Sequence, residues 1–263
     1  MIDSKRFFNN LTSIEVQNFL TTDSILCIPV GATEQHGKHL PLNTDTVLAN
    51  GFARKMVSKY YKKYDLWLLP PLEISLSSEH IWASGTISFS TELFVKLFHE
   101  LIKGLIDSQP ARNIIIVNGH GGNRGILDTL IEEFRFRYSV ATIVMHPSAL
   151  SRIKSGSKFS EVHGGKSETS IMLALAPELV NTELIPPPLE ENDQTRVSEL
   201  ILDKAVSWPW HSNDSGLGHD GIIGDAAFAS AELGNKIIDS AVINAEVVIT
   251  SLIAFGRLIR KND

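Results

Sequence analysis

Carboxylate and imidazole side chains crowd together just after the first apolar segment of the chain. The stretch "IPVGATEQHGKHLPLNTD" begins at Ile28 and carries Glu34, His36 and Asp45. In extended backbone, side chains two residues apart point to the same side, so Glu34 and His36 can converge on one region. Taken singly, each also has a structural explanation, Glu34 and His36 as a polar turn and Asp45 as a charge favoured by a helix dipole.

A second group follows another apolar segment. In "IIIVNGHGGNRG", His120 is flanked by glycines, which let backbone turn sharply and approach a ligand closely. Together the two stretches supply two imidazoles and two carboxylates, a donor set that suits Zn, Mn or Fe better than a thiolate cluster would. The sequence therefore predicts a metal site that is built from two distant stretches.

A third group lies in "EVHGGKSETSIML", which carries His163 and Glu168. We expect Glu168 in the first turn of a helix, with Ser167 as a possible cap. Capping and dipole compensation explain Glu168 about as well as chemistry does. The glycine-rich "GHGGN" lacks the Lys-Ser/Thr ending of a phosphate-binding loop, which argues against a nucleotide-binding module.

Four short apolar runs predict the strands that position these groups. Continuous apolar runs are typical of a parallel sheet covered on both faces, and ligand sites in such sheets lie beyond the carboxyl ends of the strands. The predicted strands are Ser24–Val30, Leu66–Pro70, Asn113–Asn118 and Ala141–His146. The predicted helices are Thr44–Tyr61, Thr91–Ile106, Arg124–Tyr138 and about Ala226–Ile259. Alternating strands and helices indicate a layered α/β fold.

Composition narrows the class of protein. The 263 residues fit one α/β domain over 1–263, and the net charge of −6 argues against a nucleic-acid partner. The single cysteine, Cys27, excludes an intrachain disulfide and favours a reducing compartment. We find no signal-peptide pattern and expect no membrane-spanning run, so a cytoplasmic protein without membrane partners is predicted.

Four ordered motifs resemble the creatininase (creatinine amidohydrolase) family. They are "IPVGATEQHGKHLPLNTD", "SSEHIWASGTIS", "VNGHGGN" and "HGGKSETS", and "GIIGDAAFASAELG" extends the match. The resemblance implies a three-layer α/β/α sandwich with a mostly parallel central sheet. It also implies two divalent metal ions (Zn, Mn or Fe) and a homohexameric assembly.

The same resemblance implies which residues hold the metal ions. Those implied for the first ion are Glu34, Asp45 and His120, and those for the second are His36 and the shared Asp45. Creatininases carry Tyr-Glu directly after the histidine that matches His120, where this chain has Gly121 and Gly122. The second ion thus lacks a carboxylate unless Glu168 supplies it, which argues against creatinine as the substrate.

The predicted reaction is hydrolysis of a C–N amide bond in a small cyclic amide or formamide. A metal lowers the pKa of bound water to about 7, so a metal-bridging hydroxide would attack the carbonyl. His163 would carry the proton to the leaving nitrogen, and Glu168 would be either an acid–base group or the missing ligand. The predicted substrate-binding residues are Ser78, Glu79, His80, Gly121 and Asn123. Creatinine hydrolysis, trimming of a modified peptide and non-catalytic metal or ligand binding are the alternatives.

Overall fold

A four-stranded parallel sheet forms the centre of the protein, seen here in a computed structural model that describes residues 6–203 and 205–261. The sheet has the order β2-β1-β3-β4. Its strands are β1 (Ile25–Val30), β2 (Leu66–Leu68), β3 (Asn113–Asn118) and β4 (Ala141–Met145). The four predicted strands are therefore confirmed, with ends that differ by two residues at most. Val30 lies beside Asn118, so the two central strands end side by side.

Seven α-helices accompany the sheet in the described part of the chain. They are α1 (Ser13–Phe19), α2 (Thr44–Tyr64), α3 (Thr91–Ser108), α4 (Arg124–Tyr138), α5 (Pro147–Leu150), α6 (Lys166–Leu175) and α7 (Ala231–Ile259). Helix α7 begins five residues later than predicted, because the Ser230 side chain accepts a hydrogen bond from the backbone N–H of Leu233 and caps the helix there.

The sheet separates two apolar cores. Ile25 and Cys27 of β1 face a core shared with helices α2, α6 and α7. Leu26 and Ile28 face the opposite core, which contains apolar residues of α3 and α4. The alternation follows from the two-residue period of a strand. Helices on both faces confirm the predicted α/β/α layers, and full burial agrees with Cys27 being a small core residue.

Helix α7 is 29 residues long and strongly apolar. By length and composition alone it could cross a membrane, which the sequence prediction did not foresee. One face of the helix, including Ile237, Ala241 and Ile249, is buried in the core beside α2 and α6. A core helix of a soluble protein can pass the same test, and 39% of the apolar window is buried here.

Close packing brings the first turn of α2 against the end of β3. The backbone N–H of Gly119 donates to the carbonyl of Val30 over 2.8 Å, which ties the ends of the two central strands together. A Cβ atom at Gly119 would lie 2.3 Å from the carbonyl oxygen of Asp45. Only glycine therefore allows Asp45 to sit beside the strand end that is followed by His120.

Candidate metal centre

The carboxylate of Glu34 lies at the centre of the site, in the loop that follows β1. It is fully buried, and its Oε2 accepts a 2.5 Å hydrogen bond from the hydroxyl of Ser77. Its other oxygen, Oε1, faces four imidazoles, those of His120 (3.2 Å), His80 (3.6 Å), His163 (3.6 Å) and His36 (3.9 Å). Burial raises the pKa of Glu34, and the nearby His120 only partly opposes that rise.

Asp45 sits between two of these histidines. Its Oδ1 is 3.3 Å from Nε2 of His36, and its Oδ2 is 3.0 Å from Nδ1 of His120. Burial alone would raise the pKa of Asp45, but the two imidazoles hold it below its usual range. Burial alone would lower the pKa of His36, but the Asp45 carboxylate raises it to about 9. This is the arrangement of a carboxylate that can be shared between two cations.

Backbone carbonyls orient two of the imidazoles. Nδ1 of His36 lies 3.1 Å from the carbonyl oxygen of Glu34, and Nε2 of His163 lies 2.8 Å from that of Gln35. A carbonyl only accepts, so these ring nitrogens carry the proton. In the neutral rings, Nε2 of His36 then has its lone pair towards Asp45, and Nδ1 of His163 has its lone pair towards Glu34.

The donor set fits a divalent cation. Within residues 6–203 and 205–261, Oε1 of Glu34, Oδ2 of Asp45 and Nε2 of His36 are buried without a hydrogen-bond partner. Such atoms are costly to bury unless something binds them. Three sets of ligand atoms also lie within 4.8 Å of one another: Glu34–Asp45–His120, His36–His163–Glu168 and Glu34–His80–His163.

Glu168 and His163 complete the site from the chain's third motif. Glu168 lies in the first turn of α6, where its Oε2 accepts a 2.6 Å hydrogen bond from the N–H of Gly164. Burial raises the pKa of Glu168 to about 7. Burial also lowers the pKa of His163 well below its ordinary value, with His36 adding to the effect.

The predicted capping role of Ser167 is wrong. Helix α6 starts after Gly165, and Ser167 lies inside its first turn. The backbone N–H of Ser167 instead donates to the carboxylate of Glu161 over 2.8 Å. Because that carboxylate reaches the helix end from six residues away, the spacing rule for a serine cap does not identify it.

A family comparison adds to this geometry. The family model described as creatinine amidohydrolase matches residues 9–249.

The chain belongs to the creatininase family.

Individual relatives have diverse names. The chain is 31% identical over 236 residues to a "Mycofactocin precursor peptide peptidase" of Mycobacterium ulcerans (strain Agy99), covering 88% of this chain and 86% of that protein. It is 24% identical to a "3-dehydro-scyllo-inosose hydrolase" of Thermotoga maritima, covering 94% and 83%. A solved structure from Bacteroides fragilis NCTC 9343 is similar in fold, with a TM-score of 0.79, 21% identity, and coverage of 95% and 98%. These names show that creatininase-family hydrolases differ in substrate.

In this creatininase-family protein, a cavity of about 490 Å³ opens onto the metal centre. Of the predicted substrate-binding residues, four line it: Ser78, Glu79, His80 and Gly121. Asn123 does not, because its side chain is fully buried and spans two loops. Its Nδ2 donates to Oδ1 of Asn118 over 3.1 Å, and its Oδ1 accepts from the N–H of Leu76 over 3.3 Å. Those contacts give Asn123 a structural role.

Gln35 is a site residue that the sequence did not single out. Its Nε2 lies 3.0 Å from Nδ1 of His80, 3.1 Å from Nε2 of His163 and 2.9 Å from the carbonyl of Gly221. Its Oε1 accepts from the N–H of Gly37. Gln35 lies between Glu34 and His36 in the chain. In extended backbone its side chain points to the opposite side from theirs, so the spacing that pairs Glu34 with His36 does not predict Gln35 as a site residue.

An aromatic segment from a loop near the C-terminus also borders the site. Trp208, Trp210 and His211 line the cavity, and the ring of Trp210 approaches that of His80 edge-on at 6.3 Å. Ser212, next in the chain, lies 2.7 Å from Nδ1 of His80. The segment "WPWHS" does not have the spacing of metal ligands. The sequence feature that could have identified it as a cavity lining is the pair of tryptophans beside a histidine in a loop.

Proposed function

We propose that the protein is a metal-dependent hydrolase that cleaves an amide C–N bond and uses two divalent ions. The observation that carries this proposal is the buried Asp45 carboxylate between His36 and His120, with unpartnered ligand atoms on either side. Family membership supports it. Two solved creatininases with similar folds are described as a manganese form and a Zn-Zn form, which agrees with a Zn or Mn centre.

Two ligand sets account for the two ions. Glu34, Asp45 and His120, one of the three ligand sets, would hold the first. His36 lies 3.3 Å from Asp45 and shares another ligand set with Glu168, and together with these two carboxylates it would hold the second. Glu168 then supplies the carboxylate that creatininases carry at the position of Gly122. When bound, such ions polarise a substrate carbonyl and lower the pKa of water to about 7.

His163 is the proposed proton carrier. The Gln35 carbonyl keeps the proton on Nε2, so Nδ1 faces the reaction site as a free base. Burial lowers the pKa of His163, which favours the neutral ring, the form that can accept a proton. It would take that proton from the attacking water and deliver it to the leaving nitrogen. The backbone N–H groups that follow His120, at Gly121 and Gly122, border the cavity and could stabilise the developing oxyanion.

Two substrate classes follow. A small cyclic amide or formamide is the first, consistent with the sequence prediction. A peptide amide is the second, and two observations favour it: the relative with 31% identity is named as a peptidase, and the cavity measures about 490 Å³. That volume falls in the range of pockets that enclose drug-sized ligands, far larger than a single small ring requires.

A hydrolysis screen tests the proposal. The metal-loaded protein would be incubated with creatinine, other cyclic amides, heterocyclic formamides and short peptides, and the products identified by mass spectrometry. We expect cleavage in one class only, and none by the Asp45→Ala variant. Full metal content without cleavage of any amide would favour a non-catalytic metal-binding protein instead.

We also propose a cytoplasmic protein with a single domain over 1–263, assembled as a homohexamer. The exposed Ile81 and Trp82, which are 59% and 43% accessible beside the site, are compatible with burial between subunits. Sedimentation of the purified protein tests the assembly, and a monomer at micromolar concentration would contradict it. Limited proteolysis tests the domain, since a stable fragment much shorter than the chain would indicate more than one.

A further inference from the structure

Glu79 stands behind the metal centre, on the far side of His120. Nδ1 of His120 faces inwards, 3.0 Å from Oδ2 of Asp45 and 3.2 Å from Oε1 of Glu34. Nε2 of the same ring faces the opposite way, 3.5 Å from Oε1 of Glu79. The imidazole therefore lies between the proposed metal position and a second carboxylate.

Nε2 of His120 has no other partner. It is buried without a hydrogen bond among the residues that the structure describes, although the ring is almost fully enclosed. A histidine that binds a metal through one nitrogen carries a proton on the other, and that N–H ordinarily donates to a carboxylate, carbonyl or water. Glu79 is the carboxylate in position to accept it. The present 3.5 Å separation is slightly longer than such a bond.

Gly122 makes room for this carboxylate. A Cβ atom at residue 122 would lie 2.5 Å from Oε1 of Glu79 and 2.4 Å from Nε2 of His120. A Cβ atom at the adjacent Gly121 would meet nothing within 4 Å. The absence of a side chain at residue 122 therefore leaves the space that the Glu79 carboxylate occupies beside His120.

We infer that Glu79 is a positioning residue that accepts the Nε2 proton of His120 and so directs Nδ1 to the metal. The inference rests on the proposed function, since it takes His120 to be a metal ligand. The Ser78–His80 turn fixes the backbone of Glu79, whose carbonyl accepts from the N–H of Ser212. Glu79 thereby connects the aromatic segment, which lines the cavity, to the metal centre.

Zinc titration of the metal-free protein tests this role. We expect Glu79→Ala to weaken zinc binding about 10- to 100-fold, the usual effect of removing such a partner. Glu79→Gln should recover part of the loss, because its amide oxygen can still accept the Nε2 proton. Gly122→Ala should weaken binding at least as much as Glu79→Ala, because the new methyl group crowds both groups. Circular dichroism and thermal unfolding of the metal-free variants establish that each one is folded.

Two control variants separate the specific loss of zinc affinity from the general effects of adding a methyl group or removing a charge. Gly121→Ala adds a methyl group in open space, and Glu73→Gln removes a charge from an exposed position ahead of the same turn. Both should bind zinc as tightly as the unaltered protein does. In nitrogen-15 NMR spectra of the zinc form, the Nε2 proton of His120 should shift in Glu79→Ala and stay in place in Glu73→Gln.

Several outcomes would overturn the inference. Equal zinc affinity in Glu79→Ala and the unaltered protein would remove Glu79 from the metal site. A raised KM with unchanged zinc affinity would make Glu79 a substrate-binding residue instead. Failure of the unaltered protein to bind zinc, manganese or iron would reject the proposed function itself, which is a distinguishable result.

Discussion

The two sides of the metal centre are built differently. On one side, Glu34, Asp45 and His120 follow the adjacent central strands β1 and β3, or lie in the helix turn packed against them. On the other, His80 and His163 come from a short turn and a loop outside the sheet. The strand side is fixed by backbone pairing between β1 and β3. The loop side combines a short backbone bridge between His163 and Ile223 with side-chain contacts of His80 to Gln35 and Ser212.

The pKa values of the histidines shift in opposite directions on the two sides. Burial opposes charge on every histidine here, but the nearby carboxylates raise the pKa of His36 to about 9 and that of His120 well above its usual value. On the loop side, burial and the neighbouring His36 lower the pKa of His80 to about 3 and that of His163 well below normal. Contact with Asp45 at 3.0–3.3 Å makes the difference. The strand-side carboxylates thus attract positive charge, whereas burial on the loop side favours neutral imidazoles.

The largest effect is expected on the strand side. Asp45→Ala should abolish binding of both ions, because the ligand shared between them is lost, and activity should fall to background. Elemental analysis of the purified variant measures this. Asp239→Ala, at an exposed position of α7 paired with Lys55, is the control. Full metal occupancy in Asp45→Ala would contradict the shared position of its carboxylate.

A smaller effect is expected on the loop side. His163→Ala should retain metal but lower kcat by roughly 10²- to 10⁴-fold, the usual contribution of a general acid–base group. Steady-state kinetics and metal content, measured on one preparation, separate these effects. His219→Ala alters an exposed histidine paired with Asp193 and serves as the control. Loss of metal in His163→Ala would instead make His163 a ligand, in agreement with its place in two of the ligand sets.

The aromatic segment should affect substrate binding alone. Trp210→Ala removes an indole that lines the cavity, and we expect KM to rise about tenfold with metal content unchanged. The comparison variant is Phe136→Ala, which truncates an aromatic ring that is 81% exposed on α4. A KM equal to that of the unaltered protein would place the substrate elsewhere in the cavity.

The smallest expected effect is on how the free energy of unfolding depends on pH. Burial lowers the pKa of His146 to about 4, against about 6.5 in an unfolded chain. Between these values the unfolded state binds the extra proton, so this histidine makes the folded protein less stable as pH falls from about 6.5 to 4. In His146→Gln, the metal-free protein should lose stability less steeply across that window. Urea unfolding at several pH values measures this, and parallel curves for both proteins would reject the pKa shift.

Local patterns in the chain account for much of the protein. Apolar runs specified all four strands, because a strand buried on both faces needs continuous apolar residues. The two-residue spacing of Glu34 and His36, and the position of Asp45 at a helix start, placed their side chains near one edge of the sheet. The family resemblance then supplied Glu168 as a candidate ligand, and the folded structure brings it into one of the ligand sets.

The remaining contacts of the site depend on packing between residues that are far apart in the chain. Glu79 lies beside His120 across 41 residues, Gln35 contacts His163 across 128, and the buried Asn123 bonds Leu76 across 47. No local period encodes such contacts, because each depends on how separate loops pack above the sheet. Asp45 shows the division most clearly: its residue type and helix position were visible in the chain, whereas its place between two imidazoles required the folded ends of β1 and β3.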